Sequence, residues 1–61
     1  PMKTIAVYTD CPIAIYVHMR LDEISDMFPC IASYNSSTRL ITIKCREVDA
    51  ARIEFRLADL V

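Results

Sequence analysis

A chain of 61 residues with 54% apolar side chains and a formal charge of −1 has room for one hydrophobic core, which excludes a second domain, a deep catalytic cleft and intrinsic disorder. The absence of glycine excludes Walker-type and Rossmann-type nucleotide loops, whose backbone must approach a phosphate closely or hold a positive φ. Residues 39–61 are mildly basic and residues 1–38 mildly acidic, a tilt too small to mark a nucleic-acid binder by itself.

Taken in chain order, Lys3–Tyr8 is rich in β-formers, and Ala14–Arg20 alternates, with Ile15, Val17 and Met19 on one face and Ala14, Tyr16, His18 and Arg20 on the other. The turn residues Thr9, Asp10, Cys11 and Pro12 between them predict a β-hairpin. In the register that joins the apolar faces, Val7 lies opposite Ile15, Ile5 opposite Val17 and Thr4 opposite His18. Leu21–Phe28 changes to helical spacing and ends at Pro29, predicting one or two helical turns. Cys30–Tyr34 and Arg39–Cys45 form a second predicted hairpin around Asn35, Ser36 and Ser37, with Asn35 supplying the left-handed conformation and Ile31 facing Ile41. The tail, Glu47–Val61, fits two patterns. As a strand, Ala51, Ile53, Phe55 and Leu57 alternate with charged residues; as a helix capped by Asp49, Ala50, Ile53, Leu57 and Leu60 form a stripe and Phe55 is left on the opposite side. The alanines and the cap favour the helix. The expectation is therefore a single α+β domain over residues 1–61, ordered ββαββα, with the tail a fifth strand in the alternative.

Cys11, Cys30 and Cys45 are odd in number and contain no C-x-x-C pair, so they read as reduced thiols. A zinc site made from them and His18 would lack the close ligand pairs of structural zinc sites, and packing as small half-buried hydrophobes fits them better; no metal or cofactor is expected. The longest apolar run, Ile13–Val17, is far shorter than the roughly 18 residues that a membrane span needs. With no secretory signal pattern, a soluble cytoplasmic protein without a membrane partner is expected.

Among candidate chemical groups, a free amine at Pro1 could act as a base. Chain length, Pro1 leading into Met2–Tyr8, and Arg39 just before Leu40–Ile43 give a partial resemblance to the small tautomerases of the 4-oxalocrotonate type, which implies Pro1 as the proton carrier and arginines as carboxylate anchors. The chain departs from that family where Cys11 stands in place of an arginine and where a glycine-containing carboxy-terminal hairpin is absent. Pro12, the alternating run and Pro29 also disfavour the long helix that joins the family's strands, so the likeness is confined to those few features. Met2 directly after Pro1 reads more simply as an initiator methionine behind a residue left by tag cleavage.

His18 is the one histidine, placed on the outer face of the first predicted hairpin with no triad partner at a telling spacing. Asp22, Glu23 and Asp26 read as a solvated helix face. Lys44, Arg46, Arg52 and Arg56 would make one basic face if the tail folds beside the preceding strand, although Glu47, Asp49 and Glu54 interrupt it. Tyr8 and Tyr16 share the outer face of the first predicted hairpin, beside His18, and exposed tyrosines are frequent anchors at protein interfaces. The expected function is a small non-enzymatic interaction or regulatory protein that binds a protein partner through Tyr8, Tyr16 and His18, or binds itself as a homodimer. A nucleic-acid-binding regulator using Lys44, Arg46, Arg52 and Arg56 is the alternative, and a Pro1-dependent tautomerase is the third reading.

Overall fold

The computed structural model describes residues 1–61. Between residues 14 and 28 the side chains that become buried are Val17, Leu21, Ile24 and Phe28, a spacing of i, i+4, i+7 and i+11 that only a helix brings to one face. Helix α1 accordingly spans Ala14–Met27, and the predicted first hairpin does not form. The alternation of Ile15, Val17 and Met19 is local, and the longer stripe through Val17 overrides it, leaving Ile15 and Met19 exposed. Pro12 lies just ahead of the helix, where its missing N–H removes no helical bond, and Pro29 follows its end. Leu21–Phe28, expected as a short separate helix, supplies the second half of α1 through Met27, with Phe28 as its extended cap.

Freed from that hairpin, strand β1, Met2–Tyr8, pairs with the last strand of the sheet. Strands β2, Cys30–Asn35, and β3, Leu40–Arg46, form the predicted second hairpin. The sheet order is β1-β3-β2, and both pairings are antiparallel, so β1 and β2 run parallel on either side of β3 and α1 is the crossover between them. The element order is thus βαββα, with three strands where ββαββα was expected. Val7 pairs with Ile41, Ile5 with Ile43 and Thr4 with Lys44, in place of Ile15, Val17 and His18. In the hairpin Ile41 faces Tyr34 and Ile31 faces Lys44, a register shifted from the expected Ile31–Ile41 pair. Asn35 stays in the strand while its Oδ1 accepts the amides of Ser37 at 3.0 Å and Thr38 at 3.3 Å. The left-handed residue is Arg39, with φ of 64°, at a cost of about 1 kcal/mol.

The tail is helical, so no fifth strand forms. Helix α2, Ala50–Leu57, is flanked by single 3-10 turns at Glu47–Asp49 and Ala58–Leu60. Ala50, Ile53, Leu57 and Leu60 are all buried, as the stripe predicts, and Phe55 on the opposite side is 82% exposed. Asp49 does not cap through its side chain. Its buried carboxylate instead accepts a forked pair of bonds from Arg46, at 2.8 and 3.2 Å, which fixes the turn out of β3.

Burial alternates along β2 and β3 and along β1 from Thr4 onward. Ile5, Ile41, Ile43 and Cys45 enter one core cluster of 12 residues with both helices, so α1 and α2 cover the same face of the sheet and leave the other uncovered. Polar ties fasten the layer: Arg20 of α1 bonds the Arg56 carbonyl at 2.7 Å and the Asp59 carboxylate, and the Asp10 amide bonds the Leu60 carbonyl at 2.8 Å. Fully buried Ile53 and fully exposed Phe55 sit two residues apart on α2. Ile53→Ala should lower unfolding free energy in urea titrations by about 2–5 kcal/mol, whereas Phe55→Ala should stay within about 0.5 kcal/mol of the parent.

Candidate functional site

The residues of β1 that alternate with its core-facing ones are Met2, Thr4, Ala6 and Tyr8, and all four are exposed. Across the ladder they continue as rows over the uncovered face. Ala6, Thr42 and Ser33 form a central row of small side chains. Tyr8 and Leu40 border it toward one end, with Ile31 and Met2 toward the other; Met2 is 67%, Tyr8 65% and Ile31 72% exposed. No strand residue of this face is a carboxylate, and Glu47 borders it beside Met2 and Arg46. Of its two cations, Arg46 is engaged by Asp49, and Lys44 makes no ion pair. The site is a shallow mixed platform, with apolar side chains at its two ends, small and polar residues between them and one free positive charge.

The sequence-predicted partner residues are not brought together. Tyr8 lies on the platform, whereas Tyr16 is exposed on α1 in the other layer. His18, also on α1, sets its ring edge-to-face against Tyr34 with centroids 5.4 Å apart. The shared face expected for Tyr8, Tyr16 and His18 depended on the hairpin that α1 replaces. The predicted basic face is divided as well: Lys44 and Arg46 lie on the uncovered side, and Arg52 and Arg56 on α2 beyond the sheet. These two arginines border a groove of about 530 Å³ with Met27, Phe28 and Phe55. Pro1 and Arg39 mark opposite ends of the β1–β3 ladder, where Glu47 N–H bonds the Pro1 carbonyl and Thr9 N–H bonds the Arg39 carbonyl. At the usual rise per residue that separates them by roughly 25 Å, so one chain does not assemble the pair, even though the long helix expected to be missing is present as α1.

Met2, Ala6, Ile31 and Leu40 were missed as site residues. The available signal was the second alternation of β1, Met2-Thr4-Ala6-Tyr8, which is as regular as the apolar one.

Elsewhere, the electrostatics serve the scaffold. The hydrogen bonds from Arg20, followed by its charge, hold the Asp59 carboxyl below its ordinary value, and Asp59 in turn raises Arg20. The hydrogen bond to Asp49 raises Arg46. Burial, then the nearby Asp49 carboxylate, pushes the Cys45 thiol up. Cys45 faces Cys30 across β3 and β2, both as free thiols, while Cys11 lies in the loop ahead of α1. Asp22, Glu23 and Asp26 are exposed along α1.

No protein-family model matches this chain, and neither do the curated proteins or the solved structures compared with it.

Two measurements check these environments. Under native conditions a maleimide should label Cys11 and Cys30 before Cys45, which should react only on unfolding; equal rates for all three would contradict the burial. Because the folded-state pKa of Asp59 is lowered, its ion pair contributes stability above the unfolded carboxyl value of about 4 and loses it as pH falls through the folded value. The stability gap between the parent and Asp59→Asn should therefore be full at pH 7 and shrink progressively as pH falls below the unfolded carboxyl value, read by urea unfolding at each pH.

Proposed function

We propose that this chain is a small non-enzymatic interaction protein that acts by binding another protein on the uncovered face of its sheet. The observation that supports this reading is the platform itself: a face with three large apolar side chains more than 60% exposed, no acidic residue within its strands, and a flat centre of Ala6, Thr42 and Ser33. Large apolar side chains held this exposed on one face of so small a domain favour a contact site. The small central residues let a partner's backbone approach, Tyr8 supplies an aromatic anchor with a polar end, and Lys44 favours a partner with a carboxylate at its rim. Tyr16 and His18 lie outside this contact. The free thiols fit a reducing compartment, and we place the activity in the cytoplasm. No helix is long and apolar enough to cross a membrane.

The nucleic-acid alternative has less in its favour, because its four cations are divided between two layers. A single strand tracking Lys44 and Arg46 alone would show a log–log salt slope of only about −1.4.

A photoreactive residue placed at Tyr8 or Ile31 should give protein adducts in the native host, and one at Tyr16 or Asp22 should not. Once the adduct partner is in hand, Tyr8→Ala and Ile31→Ala should each weaken binding about tenfold or more, with folding unchanged. Adducts concentrated at Tyr16 would contradict the platform reading, and binding abolished by moderate salt and by Arg52→Glu would support the nucleic-acid one.

A further inference from the structure

The backbone of β1 holds a second surface, independent of what the platform binds. The bonds at the two ends of the β1–β3 ladder, Glu47 N–H to the Pro1 carbonyl at 3.1 Å and Thr9 N–H to the Arg39 carbonyl at 2.9 Å, fix its phase. In antiparallel pairing every second residue exchanges bonds with its opposite number, so Lys3, Ile5 and Val7 are bonded to β3. The N–H and C=O groups of Met2, Thr4, Ala6 and Tyr8 therefore point outward from the sheet, without a partner. The opposite edge differs. On β2 the outward groups belong to Cys30, Ala32 and Tyr34, whose side chains are half-buried under α1.

Edge strands are ordinarily protected by proline, a bulge, shortness or inward-pointing charge. Over Met2–Tyr8 the register runs unbroken for seven residues and contains no proline. Its one charge, Lys3, approaches Glu54 of the same chain at 4.0 Å. We infer that this edge pairs with a second copy of itself: two chains join β1 to β1 antiparallel about a two-fold axis at Ile5, making one continuous six-stranded sheet.

The strand specifies that register. Centred on Ile5, the pairing sets Met2 opposite the partner copy's Tyr8 and Thr4 opposite its Ala6, which uses all four outward residues of each strand and forms about eight backbone hydrogen bonds. A slip of two residues in either direction loses a bonded pair, and a slip of one sets outward groups against inward ones. In the centred register Lys3 faces Val7 of the other copy, so no like charges meet. The two uncovered faces become a single surface.

Light scattering, together with amide exchange followed by NMR, from roughly 10 µM to 1 mM tests a contact of this small class. With rising concentration the mass should double, and the amides of Thr4, Ala6 and Tyr8 should slow while those of Ala32 and Tyr34 do not. Ala6→Pro removes an outward donor and no bond to β3, and should give a monomer with unchanged helical circular dichroism. Should that variant fail to fold, the pair Thr4→Lys/Ala6→Lys brings like charges together across the two-fold and should weaken the dimer about tenfold, with Thr4→Glu/Ala6→Lys restoring it. A monomer throughout the range, or a dimer whose Thr4, Ala6 and Tyr8 amides remain fast, would overturn the inference. Slow exchange at those amides only when another protein is added would likewise overturn it in favour of a heterologous strand.

Discussion

The architecture depends on the two-sided bonding of β3. Its odd residues, Ile41, Ile43 and Cys45, exchange backbone bonds with β1 and point their side chains into the core. Leu40, Thr42 and Lys44 exchange bonds with β2 and point away from the helices. This single strand therefore decides which face is buried, which face is bare and which edge of β1 is left open. Because β1 and β2 flank it in parallel, the connection between them must cross the sheet, and α1 makes that crossing; α2 then closes the same face. Arg20 and the Leu60 carbonyl lock the carboxy-terminal turn to α1 and to the loop before it. Two helices suffice to cover one face of a three-stranded sheet and not the other.

Much of this was legible in the sequence, and the exceptions have a common cause. The β2–β3 hairpin was readable because a polar turn separates two β-rich runs close in sequence. The tail was readable because four apolar residues at helical spacing outweigh a short alternation. The first hairpin was misread at Ala14–Arg20, where Ile15, Val17 and Met19 alternate as in a strand. Extending the window to Ile24 and Phe28 shows the helical stripe, but a locally bonded turn at Thr9–Pro12 was the more economical assignment. Long-range pairing of β1 with β3 leaves no local signature, since Ile5 and Ile43 are joined only in the fold.

The candidate surface was readable to a smaller degree for the same reason. Tyr8 is exposed on the uncovered face of the sheet, but the companions expected for it depended on a neighbouring strand that does not form. Replacing the 14–20 strand by α1 sends Tyr16 and His18 to the other layer and brings Thr42, Leu40 and Ile31 beside Tyr8 instead. The cations separate in the same way: Lys44 belongs to β3 and Arg52 to α2, on opposite sides of the sheet. The platform is a product of topology acting on an alternation that β1 carries in plain view.

The β1–β3 ladder underlies both the platform and the open edge, so the direct measurement is the NMR contact pattern of β1. In antiparallel sheets the pairs not joined by hydrogen bonds bring their backbones closest. The ladder phase identifies those pairs as Thr4 with Lys44 and Ala6 with Thr42. Strong Hα–Hα Overhauser effects are expected for both pairs, with helical amide contacts through Ala14–Met27. An Hα–Hα effect between Thr4 and His18 in their place would restore the local hairpin, and with it contradict the bare face and the free edge together.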